Sequence, residues 1–166
     1  MMQDKNGVIW IGTTEDLYCY KGGKFSRFLD DYIHINQQKL QLKWLQCILE
    51  DSHGTIWMGS GPIAMEGVIR FDGKSITSSK PNGDGWIRYI MEDKNGVIWF
   101  SGRQNGVFRY DAQTFKNFTE KENIGSAIFT DSAGNIWFDG GEKVSSVESI
   151  DGLWIYDGRA FKNCTT

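Results

Sequence analysis

Apolar positions along the chain come in short alternating bursts, and the bursts recur. In the segments 8–12, 55–59, 97–101 and 135–139 both alternating faces are apolar: Ile9 and Ile11 lie on one side of the first, Val8 and Trp10 on the other. A strand that is apolar on both faces belongs to a sheet covered on both sides. Each burst has a strand-like partner before it, at 44–50, 86–92 and 124–130, and another after it, at 17–21, 67–72, 106–111 and 152–157. An outer strand follows, marked by Phe25 and Phe28, then Ile76, then Phe115 and Phe118, then Phe161. No segment carries a convincing 3.6-residue apolar period, and residues 30–43, with room for a helical turn, read as a long linker.

Between the first and second strand of each unit lies one motif: Asp, two residues, Gly, then a β run ending in Ile-Trp. The four copies start at Asp4, Asp51, Asp93 and Asp131 and end at Trp10, Trp57, Trp99 and Trp137. Asp at the first position of a hairpin turn caps the turn amides, and Gly at the fourth takes the left-handed conformation of a type I turn with a bulge. The tryptophans step by 47, 42 and 38 residues (57−10, 99−57, 137−99). Four short strands per period of about 40 residues predict an all-β fold, a β-propeller with four blades per chain. The expected blades occupy about 1–28, 44–79, 86–119 and 124–166 of a single domain spanning 1–166. A two-sheet sandwich ranks below it, because it requires a polar face on each strand. Only three residues precede Asp4, so the first blade is read without an inner strand, giving fifteen strands. Four blades then close as a one-chain ring, pair as half of an eight-bladed ring formed by two chains, or belong to a larger propeller. The homodimer is favoured, because end blades must bury their outer faces.

Composition agrees with short strands and tight turns: 14% aromatic residues, 20 Gly and only two Pro. The net charge of −3 and the lack of a basic run offer no footprint for nucleic acid. Cys19, Cys47 and Cys164 are odd in number and widely spaced, which makes neither a disulfide framework nor a zinc site, and each is expected in a strand. No stretch suits a membrane span, and the polar start at Met1–Gly7 has no signal-peptide core, so the chain as written reads as cytoplasmic.

The motif resembles the two-component regulator propeller repeat, Asp-x-x-Gly-x-Ile-Trp-Ile-Gly-Thr followed by Gly-Leu-x-Arg-Tyr-Asp. Residues 4–13 follow its first half almost completely, and Gly106-Val107-Phe108-Arg109-Tyr110-Asp111 its second. Asp16-Leu17 and Lys21 depart from it in the first blade, as do Ser101-Gly102 and Asp139-Gly140 later. The resemblance implies the extracytoplasmic sensing part of histidine-kinase hybrids, hence a periplasmic location and a sensor role.

Candidate chemistry collects on the rim that carries the loops into inner strands and between second and third strands. Those loops are long, at 29–43, 60–66, 78–85 and 140–151. Trp44 and Trp86 stand seven residues before their turn Asp, where they either stack on a sugar or flat ligand or pack between blades. Arg88, Arg103, Gln104 and Asn105 lie near the same rim as polar contacts for an anionic ligand. The turn aspartates, one per blade, do not converge as calcium requires. The pairs Glu50-Asp51 and Glu92-Asp93 repeat with the blade and read as structural rather than as acid–base catalysts. His34 and His53 lack metal spacing, and no cofactor motif is present. The reading is therefore a non-catalytic ligand-binding or protein-interaction module with a small-molecule or glycan ligand. A glycan-acting propeller enzyme, a lyase or hydrolase, is the alternative; a cluster of carboxylates, Arg and His in one rim cavity would favour it.

Overall fold

The computed structural model describes residues 1–83, 85–102, 106–111, 114–119, 124–140 and 152–165. It contains four four-stranded antiparallel sheets, each built from consecutive strands. The first holds β1 (Met2–Gln3), β2 (Ile9–Gly12), β3 (Leu17–Lys21) and β4 (Lys24–Arg27). The second holds β5 (Leu45–Glu50), β6 (Ile56–Ser60), β7 (Val68–Phe71) and β8 (Ile76–Ser79). The third holds β9 (Ile87–Glu92), β10 (Ile98–Gly102), β11 (Val107–Tyr110) and β12 (Phe115–Asn117). The fourth holds β13 (Ile124–Thr130), β14 (Ile136–Gly140), β15 (Leu153–Tyr156) and β16 (Phe161–Asn163).

Four expectations are corrected. The first sheet does have an inner strand: β1 is only two residues long, with Met2 opposite Trp10 and Gln3 opposite Ile9. The strands among the described residues thus number sixteen, not fifteen. The stretch read as a linker begins with a short helix, α1 (Phe28–Tyr32), followed by a 3-10 turn at Ile33–Ile35. Phe28, expected in the outer strand, opens this helix and is fully buried. Cys164, likewise expected in a strand, follows β16 and is exposed.

The second strands of the second and third sheets are buried as their two-faced pattern requires, and β2 and β14 are buried in part. All residues of β6 and β10 are buried. The chain divides into two compact units, 1–90 and 91–166. In the first, Trp10 and Phe28 pack with Ile56, Met58, Ile69, Phe71 and Ile76 in one core. In the second, Trp99 packs with Val107, Ile136 and Phe138.

Candidate functional site

The repeated aspartates are consumed by the fold, and in the same way each time. Asp4 Oδ1 accepts the amides of Asn6 and Val8, both at 2.9 Å, and its Oδ2 accepts the indole N–H of Trp10 at 2.9 Å. Asp51 does the same for His53, Thr55 and Trp57 at 2.8–2.9 Å. Asp93 serves Asn95, Val97 and Trp99. Asp131 serves Ala133, Asn135 and Trp137, with the Asn135 side-chain amide as an extra donor. The fourth-position glycines have φ of +76° to +84°, the left-handed turn conformation. The six-residue spacing from Asp to Trp therefore ties the turn to its own core indole, which is why the motif runs on to the tryptophan.

Asp131 has a measurable signature. Its carboxyl is held down at about 2, first by the Asn135 side chain, then by the Trp137 indole, then by the Asn135 amide. A depressed folded value contributes stability that is complete above the unfolded value of 3.8 and is lost as pH falls toward about 2. Urea midpoints measured from pH 5 to pH 2 should fall across that window. Asp131→Asn should flatten this part of the curve; an unchanged slope would show that the carboxylate bonds contribute nothing.

In the unit 1–90, the strand end opposite the Asp turns is a rim built by the chain at 36–44, by the loop between β6 and β7, and by the entry to β9. Trp44 has φ of +54° and donates its amide to the Thr13 carbonyl at 3.0 Å. Its own carbonyl presses on Gly61, where any Cβ would collide. Glu66 ties the two loops, accepting the amides of Gln41 at 2.6 Å and Leu42 at 3.1 Å. The carbonyl of Met65 lies against Gly85, and Gly67 donates to the Gly85 carbonyl at 2.9 Å. Lys39, Leu42, Trp44 and Met65 all have φ between +51° and +56°. Non-glycine residues rarely adopt this, at a cost on the order of 1–2 kcal/mol each, and such strain gathers where geometry matters.

The rim brings Trp86 and Arg88 together: the guanidinium sits over the indole, 5.6 Å from its centroid, and both residues are half-buried. Trp44, also half-buried, is joined to them through the 60–67 loop, which exposes Ile63 (65%) and Met65 (39%). Arg103, Gln104 and Asn105, and most of the loop at 140–151, lie outside the described residues.

The structure also holds a cavity of about 320 Å³ at the opposite, turn-bearing strand end of the same unit. Trp10, Tyr32 and Phe71 supply its aromatic wall, and Asp31, Glu50 and Lys21 its charged groups. Asp4 and Asp72 also line it, but their oxygens are used by their own turns. Cys19 faces it with a thiol pushed up to about 11, first by burial, then by the charges of Asp31 and Asp4. A thiol so placed stays protonated at neutral pH and is no nucleophile. This cavity is not legible in the sequence, because it needs Tyr32 of α1 to form its wall. No group of three or more metal-ligating side chains occurs among the described residues, and no described helix is long and apolar enough to cross a membrane.

Comparison with known proteins agrees with this architecture. None of the curated proteins matches the chain in sequence. The extracellular domain of a protein from B. thetaiotaomicron, described as a hybrid two component system, superposes with a TM-score of 0.68 at 22% identity, over 95% of this chain and 20% of that one. A second extracellular domain from B. thetaiotaomicron, described as a one component system, gives 0.67 at 18% identity over 98% and 24%. Virginiamycin B lyase from Staphylococcus aureus gives 0.57 at 16% identity over 94% and 61%. At these identities the likeness is one of fold. The chain spans about a fifth to a quarter of the two B. thetaiotaomicron domains. Residues 1–15 and 82–104 match the two component regulator propeller family. The protein is thus a chain of β-propeller blades that is similar, at residues 1–15 and 82–104, to the two component regulator propeller family.

Proposed function

We propose that this chain is a non-catalytic binding module of the sensor-propeller kind, which docks a small anionic or glycan ligand on the rim at Trp86 and Arg88. The observation that carries this reading is the Arg88–Trp86 pair, which sets a cation and a stacking surface side by side next to exposed Ile63 and Met65. Aromatic faces suit sugar rings, and a guanidinium suits carboxylate or phosphate. The turn carboxylates support a binding role over a catalytic one, since each already accepts its own turn's donors. Extracellular relatives support an extracytoplasmic location rather than the cytoplasmic one. The assembly in this reading is two chains of four blades each.

The test is a thermal-shift screen of sugars and small anions, followed by titration of any hit. Trp86→Ala and Arg88→Ala should each weaken binding about tenfold or more, on the order of 1.4 kcal/mol. Unchanged affinity in both variants removes the rim from the site. Release of products from a glycan in the same screen would favour a lyase or hydrolase instead.

A further inference from the structure

Inside each compact unit, one sheet meets the next by the same joint. In residues 1–90 the Trp10 face of the first sheet packs on Ile56, Met58 and Phe71 of the second, with Phe28 5.0 Å from Phe71. In residues 91–166 Trp99 lies 6.4 Å from Phe138, and Phe118 lies 5.0 Å from Tyr156. The knob is a core Trp plus the Phe just past the fourth strand. The socket is the Ile-bearing face of the following sheet. A lysine ties the turns: Lys5 Nζ donates to the carbonyls of Asp51 and Ser52 at 2.7 and 3.0 Å, and Lys94 Nζ to that of Ala133 at 3.1 Å.

Two further faces carry halves of this joint, each with a large ring exposed to solvent. On the first sheet, Gln3, Ile9, Tyr20 and Phe25 form one cross-strand row, and Phe25 is 68% exposed. Ile9, Tyr20 and Phe25 correspond in register to Ile136, Tyr156 and Phe161, which form the covered socket of the fourth sheet. On the fourth sheet, Phe129, Trp137, Ile155 and Lys162 form the opposite row, and Phe129 is 59% exposed. That row is a knob. We propose that the Trp137 face of one chain docks on the Ile9 face of a second copy, repeating the internal joint between chains. This rests on the two-chain reading and names the surfaces it would use.

The sequence order supports a second copy as the occupant. The run Asp-Lys-Asn-Gly-Val-Ile-Trp at 4–10 recurs unchanged at 93–99, whereas the second and fourth motifs carry Ser52 and Ser132 in place of the lysine. A Ser-type blade is thus followed along the chain by the Lys-type run of 93–99. The first sheet of another copy offers that same run to the fourth sheet. Apolar sheet faces left open favour association, and a head-to-tail pairing used twice satisfies both halves.

The joint also predicts a trans contact. Cys164 occupies the position of Phe118: its amide donates to the Leu153 carbonyl at 2.8 Å, as that of Phe118 does to Val107 at 2.7 Å. Docking therefore sets Cys164 of one copy beside Tyr20 of the other. Light scattering on the full chain should give twice 18.9 kDa, and Phe129→Glu and Phe25→Glu, both at exposed positions, should each return it to 18.9 kDa. In Tyr20→Cys, a short bis-maleimide should give a covalent dimer that Cys164→Ser abolishes. A native mass of 18.9 kDa, or a cross-link confined to one chain, overturns both the two-chain reading and this pairing. A dimer that persists in both Glu variants and does not cross-link through Cys164 overturns the pairing alone.

Discussion

Replacing Asp51 with Asn is expected to lower the stability of the chain by about 2–4 kcal/mol, which corresponds to a fall in Tm of roughly 5–15 °C. The substitution keeps the shape and removes one acceptor. Asp51 is 6% exposed and Trp57 2%, so neither finds water as a substitute partner. One carboxylate oxygen takes the amides of His53 and Thr55, and the other takes the indole at 2.8 Å. An asparagine has one oxygen and one NH2. If the oxygen serves the turn amides, the NH2 points at the indole N–H; if it flips, the amides lose their acceptor. Either way a buried donor is orphaned, and charge-assisted bonds are lost with it. The same change at the more exposed Asp131 should cost less. Urea denaturation followed by tryptophan fluorescence measures both. An Asp51→Asn midpoint matching the parent would mean that the Asp–Trp tie is decorative.

That tie explains what the sequence made legible. Turn chemistry and two-faced alternation are local, so the Asp turns, their left-handed glycines and the buried second strands could be placed within a residue or so. Trp86, just before β9, and Arg88, within it, stand two residues apart, and that spacing is also readable. What escaped depends on contacts between distant segments. β1 is two residues long and exists because β2 offers it an edge. Phe28 stands three residues after Phe25, where a strand's last residue and a helix's first look alike until the ring finds Trp10 and Phe71. Glu66 reaches amides 24 and 25 residues away, and the positive φ of Trp44 follows from how that loop is held. The cavity beside Cys19 needs α1, so it too was invisible.

Phe28→Ala is expected to cost about 3–5 kcal/mol, lowering Tm by roughly 10 °C or more. The ring is fully buried. It stacks on Tyr32 at 4.7 Å, meets Phe71 edge-on at 5.0 Å and leans on Trp10 at 5.5 Å. Truncation removes the transfer energy of the ring and leaves a void that three aromatic neighbours are too rigid to fill. It also frees α1, a five-residue helix with no side-chain cap at its start, whose buried anchors are Phe28 and Leu29. Phe118→Ala is the internal comparison: this ring meets Trp99 at 4.7 Å and Tyr156 at 5.0 Å but is only partly buried, so its loss should cost less, about 2–3 kcal/mol. Thermal unfolding by circular dichroism separates the two. A Phe28→Ala cost below about 1 kcal/mol, at the level of a surface change, would show that the sheets hold together without the ring. The ordering Phe28 above Phe118 would instead show that the residue just past the fourth strand locks one sheet to the next in proportion to its burial.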